Sequence, residues 1–279
     1  MNKPATLATL DGLGFPEALR WRQDELWFSD MFRGNVVSWN PKSSSVVRLS
    51  HSEGGPAMPG GLGWTPAGQL LVVDCLEKKV LIVGDEGKVS TYADLSELTD
   101  YPLNDMHVEP DGTAWVGGYG FDPENQEPVG SPLFKISTDG VIEISATQFV
   151  FPNGCERFGS LIAVAETFAD RVSFFDSEIE IVNSYSFNQG SGPDGLSFGP
   201  DGTLFVASAF TGEITSFGSE GKSELFYKLT SSASTPGGER GIFDCAVHPT
   251  NSQLAFSSAC LDEQYSKDHD TGCITLVSL

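Results

Sequence analysis

A unit of about 45 residues recurs six times along this chain of 279, and nothing else constrains its fold as strongly, because repeats of that length must stack on one another. The pattern is plainest at 192–207, Gly-Pro-Asp-Gly-Leu-Ser-Phe-Gly-Pro-Asp-Gly-Thr-Leu-Phe-Val-Ala: a short strand, a Pro-Asp-Gly turn and a second strand. The same succession runs from Phe-Pro-Glu-Ala-Leu-Arg-Trp (15–21) to Leu26-Trp27-Phe28, and from Pro59-Gly60-Gly61-Leu62-Gly63-Trp64 to Leu70-Leu71-Val72-Val73. It returns at Leu103–Val108 leading to Ala114, at Phe151–Cys155 leading to Leu161, and at Phe243–Val247 leading to Leu254. Each unit continues into a third strand, such as Asn35–Trp39, Val80–Val83 or Arg171–Phe175, and a fourth follows a further turn. Asp111-Gly112, Asp139-Gly140 and Asp201-Gly202 supply the positive-φ positions that hairpins require.

Four-stranded units at this period read as the blades of a six-bladed β-propeller, an all-β fold occupying residues 1–279 as one domain around a central metal site. The density of Gly, Pro and β-branched residues excludes a helical solenoid, and a two-sheet sandwich has no use for six similar units. A propeller must close its ring, and residues 6–10 are expected to do so by pairing with 273–277.

The first strand of every blade lines the central channel, so the residues at its start crowd around one axis. Counting seven back from the turn position puts Glu17, Gly60, Asn104, Asp194 and Phe243 there, and Asn153 joins them if the fourth turn is one residue shorter. Four of the six carry side-chain oxygens. Asn and Asp favour turns before strands on their own account, but a Glu directly after Pro16 does not, and carboxylates converging on one axis require a counter-ion. Hard cations take carboxylate and amide oxygens, so Glu17, Asn153 and Asp194 are the expected metal ligands, with Ca²⁺ first and Zn²⁺, Mn²⁺ or Mg²⁺ as alternatives.

A formal net charge of −22 suits a cation and repels phosphate backbones and anionic headgroups, so neither nucleic acid nor a membrane surface is expected as a partner. Five widely spaced cysteines without a C-x-x-C indicate neither a disulfide framework nor a thiolate zinc site. The N-terminal stretch lacks a signal-peptide core and no later run is long enough for a bilayer, which leads to the expectation of a cytoplasmic protein.

With these residues in place the chain resembles the senescence marker protein/gluconolactonase/luciferin-regenerating enzyme family over essentially its whole length. The carriers are Phe-Pro-Glu-Ala-Leu-Arg-Trp (15–21), Asn-Asp-Met-His-Val-Glu-Pro-Asp-Gly (104–112), Phe-Pro-Asn-Gly (151–154), Val-Ala-Glu-Thr-Phe-Ala-Asp-Arg-Val (164–172) and Pro-Asp-Gly-Leu (193–196). The resemblance implies metal ligation by Glu17, Asn153 and Asp194, contact of Asn104 with substrate or metal-bound water, and an acidic substrate contact near Asp122. It also exposes a departure: the Arg that sugar lactonases of the family place two residues before Asn104 is here Pro102. Walls of Tyr119, Phe121 and Phe210 suit a less polar ester or lactone.

The expected chemistry is metal-dependent hydrolysis of a lactone or carboxylic ester, with Asp194 or Asp105 accepting the proton of the attacking water. Two alternatives remain open at this point, a non-catalytic binding module stabilised by its metal and a phosphotriesterase-like hydrolase. A serine hydrolase is not indicated. Gly195-Leu196-Ser197-Phe198-Gly199 fits G-x-S-x-G, but the nucleophile elbow needs a strand, a sharp turn and a helix, whereas Ser197 lies within a strand that enters a hairpin. His107, His248 and His269 are expected to be packed or solvated, and Asp268-His269-Asp270 to lie in a hairpin loop.

Overall fold

The computed structural model describes residues 4–176, 179–230 and 236–279; residues 1–3 of the N-terminal stretch read for a signal peptide lie outside them. After β1 (Thr6–Leu13) comes the first blade, β2 (Pro16–Arg22), β3 (Glu25–Asp30), β4 (Asn35–Trp39) and β5 (Ser45–Ser50). The second is β6 (Pro59–Trp64), β7 (Leu70–Asp74), β8 (Lys79–Val83) and β9 (Val89–Asp94), and the third is β10 (Leu103–Val108), β11 (Ala114–Gly118), β12 (Gly130–Ile136) and β13 (Ile142–Val150). The fourth holds β14 (Pro152–Phe158), β15 (Leu161–Glu166), β16 (Arg171–Phe175) and β17 (Ile181–Ser186), and the fifth β18 (Pro193–Phe198), β19 (Leu204–Ser208), β20 (Glu213–Phe217) and β21 (Ser223–Lys228). The sixth comprises β22 (Arg240–Val247), β23 (Gln253–Cys260), β24 (Gly272–Ser278) and, as its outer strand, β1. The ring is thus a six-bladed propeller closed as the sequence leads one to expect, with Thr6 opposite Val277 and Asp11 opposite Cys273.

The turns follow their chemistry: Gly112, Gly140 and Gly202 have φ of 94°, 80° and 82°, values that a side chain would strain. Blades pack face to face, so the second strands are covered on both sides. Every residue of β7 and β19 is buried, whereas β17 on the outer rim is almost wholly exposed. Leu71, Val73, Leu103, Met106, Val116 and Phe134 belong to the largest apolar cluster, which joins the second and third blades. At the axis the inner strands approach backbone to backbone. A Cβ on Gly60 would sit 2.5 Å from the Asn104 carbonyl oxygen, and one on Gly154 would sit 2.6 Å from that of Asp194.

One expectation is corrected. Asp268 and His269 end a short helix, α1 (Glu263–His269), rather than occupying a hairpin loop. Asp262 caps it by accepting from the Tyr265 N–H at 2.8 Å, Glu263 stands in the first turn and Lys267 and His269 in the last, a charge order that suits the helix dipole. The five cysteines are free. Among the described residues no helix is long and apolar enough to cross a membrane.

Candidate metal and active site

Each inner strand loses its regular register just after it begins. The breaks fall between Glu17 and Arg20, Pro59 and Leu62, Leu103 and Met106, Pro152 and Cys155, Pro193 and Leu196, and Ile242 and Asp244. Such bulges bend a strand and re-aim its side chains. The residues at these breaks are Glu17, Gly60, Asn104, Asn153, Asp194 and Phe243, the six positions that the repeat makes equivalent. Left-handed backbone flanks two of them, at Ala18 (φ 53°) and Phe151 (φ 56°), a strained conformation for side-chain-bearing residues that surrounding structure must hold in place.

Glu17, Asn104, Asn153 and Asp194 all line one cavity of about 580 Å³ at this end of the channel. Phe243 closes its sixth side, and Gly60 leaves the second without a side chain. Asp194 is only 5% exposed, and its Oδ1 has no hydrogen-bond partner; it is the sole carboxylate oxygen among the buried side-chain atoms without one in the described residues. Asn153 donates from Nδ2 to Thr167 Oγ1 at 3.3 Å and also stabilises the Asp194 carboxylate by a hydrogen bond. Burial first, then the charges of Asp194, Asp244 and Asp105, pushes the Glu17 carboxyl well above its usual range. Burial, then Asp244 and Asp105, does the same to Asp194 against the opposing Asn153 hydrogen bond. Two carboxyls that resist ionising, with one oxygen left bare, form a site that a cation would satisfy. Among the described residues no three His, Cys, Asp or Glu side chains group to hold a metal; the set here is two carboxylates and an amide.

Asp105 departs from its expected catalytic place. It lines no part of this cavity, because Arg20 Nη2 donates to both its oxygens at 2.9 Å in the channel below. Arg20 Nη1 also lies 3.6 Å from Asp244, whose oxygens accept from the backbone N–H groups of Leu19 and Cys245 at 2.5 and 2.7 Å. This trio, unforeseen in the sequence, divides the channel. Beyond it a second cavity of about 450 Å³ opens at the other mouth, with Arg20, His107, Glu109, Glu156 and Ser197 in its lining.

Above the carboxylates the walls are aromatic. Tyr119 lies 4.4 Å from Phe151 between ring centres, and Phe168 lies 5.3 Å from Phe121 and 5.8 Å from Phe210. Phe32 and Phe168 were missed by sequence reading, although a signal existed: each stands two residues beyond the partner of its blade's opening proline, as does Phe210. Asp122 is at the rim, where Asn125 Nδ2 and the Glu124 N–H donate to it at 2.8 and 3.0 Å and lower its pKa. Glu263 and Lys267 reach the same rim from α1.

The remaining candidates lie elsewhere. Ser197 sits within β18 and its Oγ accepts the Val247 N–H at 3.1 Å, so it is part of the blade packing and no nucleophile elbow exists. His248 is buried and accepts at Nδ1 from the Thr250 and Asn251 N–H groups, each at 3.2 Å. His107 is beside Glu109 near the opposite mouth, and His269 is exposed on α1.

Comparison with known proteins agrees with this architecture. Residues 15–236 match the sequence model of the SMP-30/gluconolactonase/LRE-like region. Lactonase drp35 of Staphylococcus aureus is 25% identical over 229 residues, covering 76% of this chain and 67% of its own. A solved luciferin-regenerating enzyme superposes with a TM-score of 0.75 at 17% identity, over 97% of this chain and 93% of the other. Regucalcin of Agrobacterium tumefaciens, a calcium-binding protein, gives 0.74 at 15% identity, over 98% and 95%.

Proposed function

This chain belongs to the SMP-30/gluconolactonase/LRE-like family, and we propose that it is a metal-dependent hydrolase of lactones or carboxylic esters. The observation that carries the reading is Asp194 Oδ1, buried and unpartnered beside Glu17 at the floor of an open cavity. Glu17, Asn153 and Asp194 would hold one divalent cation, with Ca²⁺ the first candidate. A cation so held supplies a Lewis acid to the substrate carbonyl and lowers the pKa of a nearby water.

The side chains do the rest. Asn104 presents its amide to the substrate or the attacking water, Tyr119 and its aromatic neighbours keep bulk water away, and Asp194 receives the proton. As the water oxygen bonds to the carbonyl carbon its proton passes to Asp194. The ester C–O bond then breaks, the leaving alkoxide takes the proton back, and the product is a hydroxy acid. The test is hydrolysis of δ-valerolactone before and after chelation and re-addition of Ca²⁺, Mn²⁺, Mg²⁺ or Zn²⁺. Activity is expected to vanish on chelation and return with one of these ions; full activity in the metal-free protein would overturn the reading.

A further inference from the structure

Phe210 is 41% exposed at the cavity mouth, yet it is held firmly in place. Its N–H donates to the Ser191 carbonyl at 3.2 Å, and its ring lies so close over Gly192 that a Cβ there would come within 2.5 Å of it. Edge-on packing joins it to Phe168, and Phe168 to the buried Phe121 and Phe151. A large apolar ring fixed in contact with solvent at the mouth of a site is a surface built for a ligand. Three polar groups toward the rim are already engaged, leaving Asn104 and the Tyr119 hydroxyl deeper in the cavity for the reacting end of a substrate. Tyr101 donates from its hydroxyl to Gln126 at 3.0 Å, Asp122 accepts from Asn125 and Glu124, and Pro102 has only a carbonyl, which accepts from the Tyr119 N–H.

Charge narrows the choice further. Asp122, Glu124 and Glu263 stand at the rim, and the single cation in the lining among the described residues, Lys267, is 3.6 Å from Glu263 and 4.6 Å from the Phe32 ring. An anion approaching this mouth meets carboxylates and an ammonium that is already paired.

Resting on the hydrolase reading above, we propose that the substrate is an uncharged lactone whose non-reacting part is an alkyl chain or aryl ring seated against Phe168 and Phe210, not a polyhydroxylated sugar lactone. Sugar hydroxyls would lose their water against these rings and gain few partners. The carboxylate product leaves past a rim of its own sign.

The experiment compares kcat/KM for δ-dodecalactone, δ-valerolactone, δ-gluconolactone and the anionic 5-oxotetrahydrofuran-2-carboxylate, using the protein loaded with whichever cation restores δ-valerolactone hydrolysis. δ-Dodecalactone should exceed δ-gluconolactone by about 100-fold, the scale on which an apolar pocket discriminates. Phe210→Ser, verified as folded by its melting temperature, should lower the δ-dodecalactone value about tenfold more than that for δ-valerolactone. Equal or better turnover of δ-gluconolactone or of the anionic lactone, or an unchanged ratio in Phe210→Ser, overturns this inference and leaves the hydrolase reading standing. Absence of turnover for every lactone with every cation overturns both.

Discussion

Two layers of the channel hold buried carboxylates, and they are treated in opposite ways. In the lower layer Asp105 and Asp244 share Arg20 and several backbone N–H groups, so their charge is compensated by the chain itself. In the upper layer Glu17 and Asp194 share no cation, and one oxygen of Asp194 has no partner. Structural carboxylates elsewhere resemble the lower layer: Asp30 accepts from the Gly14 and Phe15 N–H groups, and Glu166 from Val150 N–H, Arg171 and Ser173. Among the described residues, the other buried acids named here are met by N–H groups, hydroxyls or Arg, and the bare Oδ1 of Asp194 on the axis marks the place proposed above for a cation.

Asp194→Ala should break the upper layer outright. Hydrolysis is expected to fall by about 100–1,000-fold, the range seen when a preorganised charge-stabilising group is removed, with loss of cation binding by calorimetry and a retained β-sheet spectrum. Arg20→Met attacks the lower layer instead. Stranding two buried anions should destabilise the fold by about 3–5 kcal/mol in denaturant titration, an effect on stability that Asp194→Ala does not share. If both variants lost only activity, or both lost only stability, the two layers would not differ in kind. Asn104→Ala sharpens the upper layer, since turnover should drop by about 100-fold through lost positioning while calorimetry still detects cation binding.

The layers also predict a pH dependence. Glu17 and Asp194 are raised above their ordinary 4.5 and 3.8, and burial lifts Asp244 to about 7 in spite of Arg20. The folded, metal-free protein therefore keeps protons that the unfolded chain has already released. Stability present below about pH 4 should be lost progressively as pH rises through the folded-state values. The melting temperature of metal-free protein should be higher at pH 5 than at pH 8, and saturating cation should shrink that difference by taking the place of the protons. The smallest effect is expected at Ser197, outside both layers. Ser197→Ala removes the acceptor for the Val247 N–H and should cost about 1 kcal/mol of stability with turnover intact.

The sequence made the upper layer visible and hid the lower one, for a physical reason. Glu17, Asn104, Asn153 and Asp194 occupy one position of a repeat, so counting back from the turns finds them; the fourth turn, Phe158–Leu161, is as short as the first, Arg22–Glu25, so Asn153 precedes Ser160 by the same interval as Glu17 precedes Asp24. Arg20, Asp105 and Asp244 stand at different blade positions and meet only because a long guanidinium side chain crosses the channel. No spacing encodes that. Helix α1 interrupts the repeat, yet its Asp262 cap and graded charges were written locally and were overlooked in favour of a hairpin. Phe32 and Phe168 were legible from the same repeat that points to the proposed ligands.

The clasp between β1 and β24 gives the proposed cation site a clock. A ribosome delivers Val277 long after Thr6, so the sixth blade stays open while the five blades between them are synthesised. Contacts so distant along the chain form late in folding. Glu17 follows directly on the first strand of that clasp, and its place relative to Asn153 and Asp194 is fixed only when the circle is complete. Cation binding at the proposed site, followed during refolding with a metal-sensitive dye, would thus serve as a stopwatch for ring closure.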